Sequence, residues 1–231
     1  MKATTEESGA ATVPVLIAAW LEVLRAAAAG RPDGAELSRM ADALARPGRL
    51  ESDLPPPPPP HVALRHLPAA LSGMEACPHP ALISAVRAVL PAMRWTTAYE
   101  KAGETAAMAD LMVAAQAAGG RGPWRLDDIS FGLFLIAPGA FYPRHWHEAK
   151  EIYFILAGEI EIALNDNPAL LCRPGSLVRT PSNASHTLKA GSRPVLILYH
   201  WVDAIGTPIW FAEPGEAPRG HGMGAKPDSK S

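Results

Sequence analysis

The chain reads as a mainly β protein with α-helices: a helical N-terminal region over residues 1–120, one small β-barrel over 121–212, and a flexible tail over 213–231. Three observations carry that reading. Apolar residues recur at helical spacing in the first half, and they form short alternating or continuous runs in the second. After residue 212 the chain turns to Gly, Pro and small polar residues that cannot build a core.

In residues 13–29, Val13, Ile17, Trp20, Leu21 and Leu24 fall on one helical face, and Gly30 and Pro32 end the pattern. A shorter helix over 35–45 stops before Pro47-Gly48. The six prolines at 55–60 dictate polyproline II, which suits a stiff spacer or surface strap better than a docking site for a proline-recognising module. Two further helices are expected over 80–93 and 99–118, the second closed by Gly119-Gly120. Strands are expected over 131–137, 151–156, 159–164, 177–180 and 195–201. Within them Glu159-Ile160-Glu161-Ile162 alternates, placing isoleucines inward and glutamates in water, with Ala157-Gly158 as a hairpin turn.

The chemistry concentrates in Gly139-x5-His145-Trp146-His147-x3-Glu151-x-Tyr153-x4-Gly158. His145, His147, Glu151 and Tyr153 occupy odd positions, so an extended backbone projects all four to one face. Two imidazoles and a carboxylate form a ligand set for a divalent first-row metal. His186, just past a Pro181-Ser182-Asn183 turn, folds back as a fourth ligand and leaves coordination positions open. A lone histidine on a sheet is usually a satisfied polar residue. Four coincident ligands buried without a metal would carry a large desolvation cost.

These residues carry a resemblance. Gly139-x5-His145-x-His147-x3-Glu151-x6-Gly158 resembles the first cupin motif, and Gly175-x5-Pro181-x-Asn183-x2-His186 resembles the second, with Asn183 where the family usually has Gly and Ala190 where it often has Asn. The implied fold is a single cupin barrel, a jelly-roll double-stranded β-helix. Tyr142, three residues before His145, and Tyr153, two after Glu151, are similar to the pattern of cupin-type dimethylsulfoniopropionate (DMSP) lyases. Length and the helical N-terminal half look DddL-like.

That resemblance implies a metal-dependent carbon-sulfur lyase that releases dimethyl sulfide and acrylate by β-elimination. Metal binding to the substrate carboxylate would stabilise charge as the alpha proton leaves. Tyr153 is the expected general base, Tyr142 the competing one. A phenol of pKa about 10 needs a downward shift for work near neutrality, which a dication supplies. The sulfonium accepts no hydrogen bond and calls for aromatic faces, for which Trp201, Tyr199, Trp95 and Tyr99 are the candidates, Trp201 foremost. The metal is one divalent transition ion, Fe, Mn, Co, Ni or Zn, which the ligand set does not distinguish. An Fe(II)-dependent cupin dioxygenase and a non-catalytic small-molecule-binding cupin are the alternatives; oxygen dependence separates the first and absence of turnover the second.

Composition narrows the partners. A formal charge of -2 with 19% charged residues offers no basic stripe for nucleic acid and no polybasic membrane patch. Cys77 and Cys172 read as buried free thiols. The apolar run over 13–24 is interrupted by Glu22 and follows acidic residues, so it reads neither as a signal peptide nor as a membrane span, and a cytoplasmic location is expected. The apolar helical half offers a homodimer surface, and His221 reads as a tail residue rather than a ligand.

Overall fold

The computed structural model describes residues 11–51, 54, 56–97, 99, 105–211 and 219–221. Helices α1 (Val13–Ala28) and α2 (Gly34–Leu44) form where apolar spacing predicts them. Pro14 sits in the first turn of α1, where a missing N–H is no loss. Leu16, Trp20 and Leu24 bury completely on one face of that helix. Helices α3 (Leu67–Gly73) and α4 (Pro80–Val89) follow, then the single turn α5 (Ala106–Ala109). Residues 56–60 of the polyproline run carry neither helix nor strand and lie at the surface, Pro58 half-buried.

The strands are β1 (Arg49–Leu50), β2 (Trp95–Thr96), β3 (Met112–Gly119), β4 (Trp124–Arg125), β5 (Ile129–Ile136), β6 (Phe141–Trp146), β7 (Lys150–Ala157), β8 (Ile160–Leu164), β9 (Leu170–Cys172), β10 (Leu177–Thr180), β11 (His186–Ala190), β12 (Val195–Val202), β13 (Ile209–Phe211) and β14 (Arg219–His221). They make two sheets. The larger runs β1-β4-β3-β5-β12-β7-β10 with β2 on β3, and the smaller runs β14-β13-β6-β11-β8-β9.

The sheets face each other as a jelly roll. Between them Phe134, Ile155 and Ile197 of the larger sheet meet Ile160, Ile162 and Leu188 of the smaller. The outer face of the larger sheet is covered by the helices, where Trp20, Leu24 and Val86 pack with Phe131, Phe154 and Leu198. Each such fully buried apolar side chain contributes roughly 1.5–3 kcal/mol. Strands β5, β7 and β12 are therefore buried on both faces and read as continuous apolar runs. No helix covers β8, so it alternates, with Ile160 and Ile162 buried and Glu161 in water.

Three expectations change. Residues 99–118 are not one helix: after α5 the chain extends as β3 alongside β5, so the larger sheet begins before residue 121. Alanine favours helix intrinsically, but Ala115, Ala117 and Ala118 are packed under the helices and strand pairing overrides that preference. Ala157-Gly158 is not a hairpin turn either, because β7 and β8 belong to different sheets. Gly158 carries the chain between them at φ 80°, and a Cβ there would lie 2.4 Å from the Pro194 carbonyl oxygen. Within the tail, β14 pairs antiparallel with β13 in place of a wholly flexible segment, and the rest of 213–231 lies outside the described residues. Cys77 and Cys172 are buried free thiols, as expected.

Candidate metal centre and catalytic cavity

Strand β6 carries Tyr142 and His145, and β7 carries Glu151 and Tyr153, on opposite sheets. The odd-numbered row is thus not one extended strand. The chain leaves β6 after Trp146, passes His147, bends at Glu148 and Ala149, and enters β7 on the facing sheet. His145, His147, Glu151 and Tyr153 all turn into the sandwich, and Tyr142 reaches the same interior from the other parity because the β6–β11 register slips between it and His145. His186 opens β11 directly opposite His145 on β6. The turn before it holds the crossing loop: Asn183, at φ 59°, donates its N–H to the His147 carbonyl at 2.8 Å. Asparagine tolerates that left-handed conformation, which is why it stands where glycine is usual.

Donor atoms of His145, His147 and His186 lie within 4.8 Å of one another, all three residues buried. Each Nδ1 meets a backbone carbonyl: His145 that of Pro143 at 2.8 Å, His147 that of Ala149 at 2.8 Å, His186 that of Ala184 at 3.0 Å. A carbonyl only accepts, so each Nδ1 carries a proton, and the neutral rings of His145 and His186 present an Nε2 lone pair. Among the described residues, Nε2 of His145 and of His186 have no hydrogen-bond partner. Nε2 of His147 stands 3.1 Å from Glu151 Oε2, and Nε2 of His186 stands 3.6 Å from the same oxygen.

Lone pairs aimed at a buried carboxylate repel unless a cation lies between them. At neutral pH that cation is not a proton on His145 or His186. Burial, then the charge of His186, holds His145 well below the usual histidine range, and burial brings His186 down to about 4. The three imidazoles and Glu151 therefore fit a divalent transition metal. Trp201 braces the set. Its Nε1–H donates to Glu151 Oε1, and its ring stacks on His147 at 4.2 Å between centres and 27° between planes.

Beside these ligands lies a small cavity ringed by Tyr99, Phe134, Tyr142, Tyr153, Tyr199 and Trp201, with Glu151 its one carboxylate. The free space is about 20 Å³, room for a single water. Tyr142 stacks on His145 at 3.7 Å and 11°, and its hydroxyl accepts from that of Tyr99. Tyr153 stands edge-on to His186 at 6.1 Å. Burial, then the negative charge of Glu151, pushes Tyr153 well above the usual phenol range. Burial and the neighbouring Tyr99 do the same to Tyr142, and burial raises Tyr199 to about 12.

Of the aromatic candidates, Trp201, Tyr199 and Tyr99 line the cavity and Trp95 does not. Trp95 pairs with Ala115 across β2 and β3, and both side chains belong to the face packed under the helices. Phe134 is a cavity wall that sequence reasoning missed, because a strand apolar on both faces gives no signal of which side chain looks inward.

Two facing sheets with three buried histidines and a glutamate converging between them make a cupin with a candidate metal site. Residues 35–197 match the family model for dimethylsulfoniopropionate lyase. The chain is 32% identical over 150 residues to the dimethylsulfoniopropionate lyase DddQ of Ruegeria pomeroyi, a match covering 62% of this chain and 74% of that protein. A chain from the crystal structures of the DMSP lyases RdDddP and RnDddQII shares the fold at TM-score 0.69 and 22% identity, covering 89% of this chain and 100% of that one. The crystal structure of DMSP lyase DddQ from Ruegeria pomeroyi does so at TM-score 0.60 and 24% identity, covering 88% and 99%. The chain belongs to the dimethylsulfoniopropionate lyase family; it is a carbon-sulfur lyase on the cupin fold. Length and the helical half point to DddL, whereas the curated relative and the Ruegeria pomeroyi structure carry the DddQ name. Among the described residues, no helix is long and apolar enough to cross a membrane.

Proposed function

We propose that the chain cleaves DMSP to dimethyl sulfide and acrylate by β-elimination, with His145, His147, Glu151 and His186 holding one divalent metal and Tyr153 removing the proton alpha to the carboxylate. The observation that supports this reading is the pair of tyrosines, one on each side of the histidine cluster, facing a ring-lined cavity. The bound metal would draw charge from the substrate carboxylate and oppose the upward push that burial gives the phenols.

The two tyrosines differ in surroundings. The Tyr142 oxygen already accepts from Tyr99 and its ring is committed to the face of His145. Tyr153 has no such commitment, and the negative charge of Glu151, which with burial holds its proton, would be offset by a metal that Glu151 binds. Tyr153 is therefore our base and Tyr142 a wall of the site. The remaining rings exclude water and offer faces to the sulfonium. A free space near 20 Å³ is too small for DMSP, so the rings must part for substrate to enter. The metal is one of Fe, Mn, Co, Ni or Zn, and the location we favour is cytoplasmic.

The test is a pair of variants. Tyr153→Phe should keep its metal and lose about 10²–10⁴ in kcat, the usual worth of a general base, while Tyr142→Phe should lose less. The reverse order would move the base to Tyr142, and two active variants would end the mechanism.

A further inference from the structure

The unpartnered Nε2 atoms of His145 and His186 have a companion that the ligand set leaves unused. Thr180 Oγ1 is fully buried and likewise has no hydrogen-bond partner among the described residues. The alternation along β10 fixes the direction in which it points. Leu177 packs toward the helices, and Arg179 reaches the same way, its Nε 3.1 Å from the Asp33 carboxylate, whereas Val178 packs between the sheets. Thr180 shares the parity of Val178, and β10 pairs with β7 without a register shift, so its side chain also turns into the sandwich. Pro181 behind it confines Thr180 to an extended backbone.

Thr180 lies directly opposite Glu151 in the β10–β7 register, and Trp201 lies opposite Glu151 on the other side, in the β12–β7 register. Residues directly opposite on antiparallel strands hold their Cβ atoms about 4.5–5.5 Å apart on one face. The Glu151 carboxylate is thus flanked by two neighbours that each carry a proton to give. The Trp201 indole N–H donates to Oε1, while Oε2 faces His147 and His186. A carboxylate accepts at about four lone-pair sites, so a second donor does not compete with the first. Thr180 does not line the cavity, which makes its partner a member of the ligand set rather than the substrate. The imidazole lone pairs are spent once a metal binds, and Glu151 is then the acceptor beside the hydroxyl.

We infer that Thr180 is a positioning residue of the metal centre, its hydroxyl donating to the Glu151 carboxylate when that group turns onto the metal. The inference rests on the proposed ligand set and not on DMSP as the substrate. Valine would fill the same place with nearly the same shape and no polar atom to satisfy. A threonine there weakens the metal-free fold, because a buried hydroxyl without a partner keeps its full desolvation cost. That cost is recovered only in a state that pairs the hydroxyl, and metal binding creates one. Thr180 and Trp201 then grip the carboxylate from both sides, which fixes the oxygen that Glu151 presents to the ion.

The experiment measures the dissociation constant for Co(II) by competition against a chelator, together with the Tm of the metal-free protein. Thr180→Val should weaken Co(II) binding about tenfold, the scale of a lost group that orients a metal ligand. The Tm of the metal-free variant should stay level or rise, because an unsatisfied buried hydroxyl is removed. Thr180→Ser keeps the donor and should bind Co(II) within about threefold of the unsubstituted protein. In a Glu151→Ala background, which retains the three histidines, adding Thr180→Val should cost no further affinity, since the acceptor is gone. Unchanged Co(II) affinity in Thr180→Val, or an equal loss in the Glu151→Ala background, would overturn the inference and leave the metal site standing. A lower Tm of metal-free Thr180→Val would also overturn it, by showing that the hydroxyl is paired without metal. No Co(II) binding by the unsubstituted protein would instead overturn the ligand set itself.

Discussion

Replacing Trp201 with Phe should weaken metal binding although residue 201 touches the metal in no way. Phenylalanine keeps a smaller aromatic face against His147, while the Nε1–H that donates to Glu151 Oε1 is lost. Glu151 is 1% exposed, so water cannot replace that donor. A hydrogen bond to a buried charged group is worth about 1.5–3 kcal/mol, which converts to roughly 10–150-fold. Loss of groups that orient metal ligands costs a similar 10–100-fold in affinity. The assay is competition for Zn or Co against a chelator of known affinity, with circular dichroism as the control for folding. A dissociation constant for Trp201→Phe within about twofold of the unsubstituted protein would refute the role given to Trp201, and with it the claim that Glu151 is a braced ligand.

Three further outcomes follow from the geometry. His200 is fully buried with Nδ1 accepting from Trp20 at 3.3 Å, and burial lowers it to about 3. An unfolded histidine takes up its proton near 6.5, so His200 costs no stability above that pH and progressively more as pH falls toward 3. From 6.5 to 5 the loss is about 2 kcal/mol, and urea unfolding at pH 7.5 and 5 should show His200→Gln losing less by that amount. Gly158→Ala should lower the urea midpoint by the equivalent of at least 1 kcal/mol, since alanine must hold φ 80° with its Cβ 2.4 Å from a carbonyl oxygen; an unchanged midpoint would mean that the crossing is loose. Stripping metal with a chelator should lower the Tm, and refilling to 100 times the dissociation constant should restore about 2.7 kcal/mol, some 5–10 °C; equal Tm values would show that the site holds no metal.

Much of this site was legible in the sequence because His145, His147, Glu151 and Tyr153 keep one parity across a change of sheet, although Tyr142 reaches the same interior from the other parity. The spacing of His145, His147, Glu151 and Tyr153 suggested one strand face. The chain instead crosses the sandwich at Glu148 and Ala149, and two inward faces present the same set. The helices α1, α2 and α4 were readable from their apolar spacing because only one side of each is buried. Strand β3 was not, since its alanines favour helix and only pairing with β5 makes them extended. Trp95 shows the converse limit: an aromatic ring near the site in sequence was placed on the wrong side of the sheet, which only the pairing with Ala115 reveals. Gly158 signalled a turn correctly but not whether the turn joins partners or changes sheets.

The measurement that bears most directly on the whole account is anaerobic turnover. Purified protein of known metal content is incubated with DMSP without oxygen, and dimethyl sulfide in the headspace is compared with acrylate in solution. Elimination predicts equal amounts of the two products at a rate unchanged by air. No dimethyl sulfide with any of Fe, Mn, Co, Ni or Zn would contradict the lyase reading, and turnover that requires oxygen would transfer the same ligands to a dioxygenase.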